Sequence, residues 1–118
     1  MQITHVRNFK VSGVLQHEGV FWEERLVRPI DIYPEHKVEG PTFLGKEGTN
    51  GYRIIANFVQ IETDHGVYGI GGPFPDDQAM IVGAQLAPLL IGHDPLAIER
   101  LWDRMYRTMV HGRKGVVM

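Results

Sequence analysis

The run from Tyr52 to Gly72, YRIIANFVQIETDHGVYGIGG, sets the terms for the rest of the chain. Ile54, Ile55, Phe58, Val59 and Ile61 are β-branched or aromatic, and Val67, Tyr68 and Ile70 resume that composition after Asp64-His65-Gly66. Two such runs joined by a short, glycine-bearing connection predict a β-hairpin, stopped at the Gly71-Gly72 pair. A lone hairpin is marginal in water, so it requires a third strand or a packed helix.

Both are available. Upstream, Ile3, Val6, Phe9, Val11 and Val14 alternate with polar residues, which predicts a half-buried strand ending at Gly13. From Leu15 to Asn50 the pattern dissolves under Gly19, Pro29, Pro34, Gly40, Pro41, Gly45 and Gly48, while Phe21, Trp22, Tyr33 and Phe43 add aromatic bulk. So long an irregular connection in a compact domain is either a lid or binding loop or a disordered segment, and the aromatics argue against disorder. The alternative is that Phe21, Trp22 and Tyr33 only pin the loop to the core.

Downstream, Asp76-Asp77 places acid at a helix start, and Met80, Ile81, Ala84, Leu86 and Ala87 continue that helix until Pro88 kinks it and Gly92 closes it. His93-Asp94-Pro95 predicts a second helix, with Asp94 as N-cap and Pro95 in the first turn. Ile98, Leu101, Trp102, Met105, Tyr106 and Met109 form a stripe at helical spacing that reads as core, ending at Gly112. A well-buried Trp102 would cost about 3–5 kcal/mol on truncation to Ala. The fold class is therefore α+β: a three-stranded antiparallel meander, a long loop between strands 1 and 2, and two or more packed helices.

Composition narrows the partners. The 118 residues make one domain, 43% hydrophobic and 22% charged, with net charge −2. Scattered basic residues give no footprint for nucleic acid or anionic membrane, and neither is expected as a partner. The chain has no cysteine, and apolar runs end well before the ~18 residues of a membrane span. A cytoplasmic location is the default expectation. The apolar ending Gly115-Val116-Val117-Met118 reads as a cut rather than a solvated terminus, with a docked terminal strand as the alternative.

Ionisable groups make no complete catalytic set. The histidines are dispersed, and Glu23-Glu24 and Asp76-Asp77 are sequence neighbours that diverge on a helix. Gly71-Gly72 lacks both a dinucleotide fingerprint and a P-loop lysine. His17-Glu18 and Glu35-His36 lie in the long loop, where a lid would meet a ligand.

The segments FVQIETDHGVYGIGG, LAPLLIGHDPLAIERLWDRMY and HGRKGVVM together resemble the amino-terminal capping domain of the enolase superfamily, in the mandelate racemase and muconate lactonizing group. Within that group WEERLVRPIDIYPEH, from Trp22 to His36, and HGRKGVVM are similar to acid-sugar dehydratases of the rhamnonate type. The resemblance implies a capping domain over residues 1–112 and, at 113–118, the start of a connection to a (β/α) barrel absent from this chain. It implies that barrel carboxylates hold Mg²⁺, stabilising the enediolate formed when a base removes the proton α to a substrate carboxylate. Loss of a β-hydroxyl then gives a 2-keto-3-deoxy acid. The implied partners are the chain's own barrel, an acid-sugar substrate and further copies in a homo-oligomer. No catalytic or metal-binding residue is expected in this chain. Its role would be to close the barrel mouth and read the far end of the substrate, through His17 with Phe21 and Trp22. Another racemase or cycloisomerase of the superfamily, or a free-standing interaction module, remains an alternative.

Overall fold

The structure is a computed structural model and describes residues 1–19, 29–37 and 45–108. Its strands are β1 (Ile3–Gln16), β2 (Gly45–Lys46), β3 (Gly51–Thr63) and β4 (Tyr68–Phe74). β3 is the centre of the sheet, beside β1 and paired antiparallel with both β2 and β4. The expected meander is thus β1, β3 and β4, to which the long connection adds the two-residue β2. By contacts the chain divides into two compact units, one built from Met1–Val11 and from Ala56 onward, the other from Ser12–Ile55.

In the first unit the hairpin forms as the sequence predicts. Thr63 N–H donates to the Val67 carbonyl at 3.0 Å, Gly66 takes φ +74, and Thr63 Oγ1 donates to the same carbonyl at 2.7 Å. The glycine pair does not stop the strand: β4 runs on to Phe74, and Gly71 pairs with Val59 in the ladder. A register shift between Asn57 and Val59 accommodates Gly72, which has φ +140. A Cβ there would lie 2.8 Å from Phe58 Cδ1 and 2.9 Å from the Asn57 carbonyl, so the bulge needs glycine for both its dihedral and its space. β1 likewise passes through Gly13 to Gln16, because glycine weakens a ladder without ending it while the neighbouring strand continues.

The first helical segment is interrupted earlier than Pro88. α1 (Asp76–Ile81) leads into a π-helical turn over Val82–Leu86, and α2 (Ala87–Leu90) follows with proline in its first turn. Pro88 has no N–H for the preceding turn, and Ala87 N–H instead reaches back to the Val82 carbonyl. Asp94 is not the cap of the last helix. Its Oδ1 accepts from Leu96 N–H at 3.0 Å and its carbonyl from Ala97 N–H at 3.1 Å, making a separate turn. α3 (Ile98–Tyr106) begins beyond that turn, with Ala97 as N-cap. It ends at Tyr106 rather than at Gly112, with the Arg107 N–H bonded back to the Asp103 and Met105 carbonyls.

The core of this unit is Ile3, Leu90 and Leu101, with Val6, Ile61 and Met105 packed against it. Backbone bonds seat β1 on it: Gly92 N–H donates to the Ile3 carbonyl at 2.8 Å, and Ile3 N–H to the His93 carbonyl at 2.9 Å. The α3 stripe is buried only in part. Leu101 is 8% exposed and Met105 is half-buried, but Ile98 is 69% and Trp102 51% exposed. Leu101 and Met105, one turn apart, take the contact that Ile3 and Leu90 offer. Trp102 stacks on Tyr106 instead, centroids 4.9 Å apart. Arg104 is half-buried and donates to the Leu89 carbonyl at 3.4 Å while touching the His93 ring.

Candidate functional site

The second unit carries the candidate lid residues. β1 delivers His17 just beyond its last residue, Gln16, and His17 N–H donates to the Asn50 carbonyl at 2.8 Å. The side chain of His17 is exposed, as is Glu18. One residue later, Gly19 turns the chain with φ +80, and its carbonyl accepts the Tyr52 hydroxyl at 2.7 Å. Both ends of the long connection are therefore fastened at the start of β3. Loop-closure entropy grows only slowly with length, so such bonds and the buried Tyr52 ring can offset it.

The far end of the connection is a tight turn. Glu47 N–H donates to the Gly51 carbonyl at 2.9 Å, Lys46 pairs with Tyr52, and Arg53 meets Glu47 in an ion pair at 2.5 Å. Gly51 is fixed by close approach, since a Cβ would fall 2.1 Å from the Glu47 carbonyl oxygen and 3.1 Å from Val14 Cγ1.

Phe21 and Trp22 lie outside the described residues, as do Phe43 and the connection expected at 113–118. Glu35 and His36 belong to a 3₁₀ turn, Pro34–His36, that follows another at Pro29–Ile32. His36 meets Tyr33 edge-on at 6.4 Å, and Tyr33 is 53% exposed, so this aromatic does not pin the loop to a core. The residue the sequence reading missed is Tyr52. It is 3% exposed and looked like one more strand aromatic, and no spacing rule links it to Gly19.

In the first unit, an apolar groove of about 310 Å³ is lined by Met1, Ile61, Val67, Tyr68, Pro95 and Leu96. Among the described residues, no group of three or more His, Asp or Glu side chains is gathered as a metal site requires. Nor is any helix among them long and apolar enough to cross a membrane.

A meander with a long connection between its first two main strands, followed by helices on the sheet, is the architecture of enolase-type capping domains. It is similar to the L-Ala-D/L-Glu epimerase of Bacillus subtilis at a TM-score of 0.58, with 16% identity over 93% of this chain and 26% of that one. It is also similar to an enolase-superfamily member from Polaromonas sp. JS666, at a TM-score of 0.55 and 19% identity over 94% of this chain and 24% of that one. The chain belongs to the family described as mandelate racemase / muconate lactonizing enzyme, N-terminal domain, which matches residues 44–116.

Among curated proteins, L-rhamnonate dehydratase of Saccharopolyspora erythraea is 28% identical over 126 aligned residues, covering 100% of this chain and 30% of that protein. D-mannonate dehydratase of Novosphingobium aromaticivorans is 46% identical over 68 residues, 52% of this chain and 17% of that protein. The chain thus spans less than a third of the length of the curated relatives it matches.

Proposed function

We propose that this chain is the lid and specificity domain of an acid-sugar dehydratase, acting on the barrel domain of the same protein. The observation that carries the reading is the likeness to L-rhamnonate dehydratase across the whole chain, loop included, joined by the 46% identity to D-mannonate dehydratase over 68 residues. Within it, Mg²⁺ held by the barrel would stabilise the negative charge that develops when a barrel base takes the proton α to the carboxylate, ahead of loss of the β-hydroxyl. The described residues of this chain do not gather a set of ligands for the metal, so no step is assigned to them through it.

The chain's own residues contribute positioning and exclusion of water. His17, exposed at the loop base, offers an imidazole to a substrate hydroxyl. Phe21 and Trp22, two and three residues past Gly19, supply apolar bulk that shuts water from the reacting end. A lid of this kind lowers the barrier by holding the acid in the reactive orientation.

The test is turnover of a panel of sugar acids by the intact protein, followed by formation of the 2-keto-3-deoxy product. Dehydration of at least one member is expected. Racemisation or epimerisation without dehydration, or no turnover of any sugar acid, overturns the reading.

A further inference from the structure

We infer that the outer edge of β4 is a self-pairing surface, to which a second copy of this chain adds its own β4, antiparallel, across a two-fold axis at Gly69. Among the described residues, β4 pairs with β3 on one side and with no strand on the other. The hairpin fixes which backbone groups this leaves. Thr63 N–H donates to the Val67 carbonyl, and hydrogen-bonded pairs recur at every second residue of an antiparallel ladder. Val67, Gly69 and Gly71 therefore turn their backbone groups toward β3, while Tyr68 and Ile70 turn N–H and C=O outward. Edge strands are commonly guarded by charged side chains, yet Tyr68–Phe74 contains none.

A second β4 fits this edge in register, charge and area. With the axis at Gly69, Tyr68 of each copy faces Ile70 of the other and exchanges both N–H···O=C bonds with it, an aromatic side chain against a β-branched one. That register keeps the ladder clear of the hairpin turn at one end and, at the other, of the Gly72 bulge and of Pro73, which has no N–H. Asp64 and His65 at the hairpin tip come opposite Phe74 and Pro73 of the second copy, so no like charges meet. Val67, Tyr68, Ile70 and Leu96 are 58%, 63%, 56% and 74% exposed. They offer on the order of 500 Å² per copy, and about 1,000 Å² for the pair is what a specific interface needs. The patch is continuous, because Val67 and Tyr68 share a groove with Pro95 and Leu96. None of this depends on the dehydratase reading.

Gly69→Cys in the intact protein tests the register. A Cβ at Gly69 meets nothing within 4 Å, and this chain has no cysteine of its own. Across the axis the two Gly69 residues form a non-hydrogen-bonded pair, whose Cα atoms lie about 4.5 Å apart, within disulfide range. Mild oxidation should give a covalent dimer with the bond mapped to position 69 in both copies. Ile70→Lys sets a charge on the edge without touching the β3 ladder, so the fold should hold by circular dichroism. It should raise the dissociation constant of the wild-type dimer at least about tenfold by sedimentation velocity, and should abolish the cross-link when combined with Gly69→Cys. A monomeric wild type, or an oligomer that Ile70→Lys leaves unchanged, overturns the inference. So does a folded Gly69→Cys protein that forms no cross-link, as when another part of the same protein covers the edge, or a cross-link that survives Ile70→Lys. If Ile70→Lys does not fold, the cross-link at position 69 decides alone.

Discussion

Asn57 Nδ2 donates to Asp76 Oδ1 at 2.7 Å and also to the Phe74 carbonyl at 3.1 Å, so one amide fastens the end of β4 and the first residue of α1. Asn57 is 8% exposed and sits at the β3 bulge, while Lys10 on β1 reaches the same Asp76 oxygen at 2.8 Å. Three elements thus meet on a single carboxylate, and Asn57→Ala leaves the Phe74 carbonyl without this donor. The expected cost is about 1–3 kcal/mol by chemical denaturation. A change below about 0.5 kcal/mol would mean that water replaces the amide at no loss.

The same contact fixes a pH dependence. The Lys10 ammonium, then the Asn57 amide, hold the Asp76 carboxyl below its ordinary 3.8. A carboxyl whose pKa falls on folding adds stability above its unfolded value and loses it as pH drops through the folded one. Asp76→Asn should therefore lower the urea midpoint near pH 7, and the gap to wild type should close as pH falls below about 4. A gap that stays constant down to pH 2.5 would show that charge plays no part. Asp64 adds a parallel slope, because the Gln2 backbone N–H lowers its pKa in the same direction.

α3 should show an inverted ranking of its large residues. Leu101→Ala is expected to cost about 2–5 kcal/mol, since Leu101 is 8% exposed in the core with Ile3 and Leu90. Trp102→Ala should cost only about 1 kcal/mol, the worth of its stacking on Tyr106, because half of its surface is already in water. Equilibrium unfolding of the isolated chain tests the order, and a larger loss for Trp102 would refute it.

For the lid, His17→Ala in the intact protein should lower kcat/KM by about 1–3 kcal/mol for sugar acids bearing the hydroxyl it reads, and less for those lacking it. Melting temperature should hardly move, since the side chain is exposed and the backbone bond to Asn50 remains. Steady-state kinetics on paired substrates decides the point: unchanged selectivity removes His17 from the site.

Gly72→Ala offers a test of the bulge. Strained dihedral and close approach coincide there, so a loss of about 2 kcal/mol or more is expected in denaturation. A near-neutral result would show that the β4 register can shift to make room.

Local rules were enough for the elements themselves. Alternating β-branched and aromatic residues around Asp64-His65-Gly66 determine the hairpin, and acid at Asp76-Asp77 with apolar spacing beyond it determines a helix start. The family was equally readable, because the IET-DHG and LIG-x-DP segments carry both the turn chemistry and the core positions of that fold. Tertiary structure decided where elements end and what their faces meet. Gly71-Gly72 looks like a stop, yet pairing with β3 carries the strand past it. Asp94-Pro95 looks like a cap, yet its own turn satisfies the aspartate first. Trp102 looks like core, yet burial depends on how much surface Ile3 and Leu90 present, which no helical period encodes. The Tyr52 tether to Gly19 is the extreme case: it joins residues 33 apart, and only a folded chain brings such a hydroxyl and carbonyl to 2.7 Å.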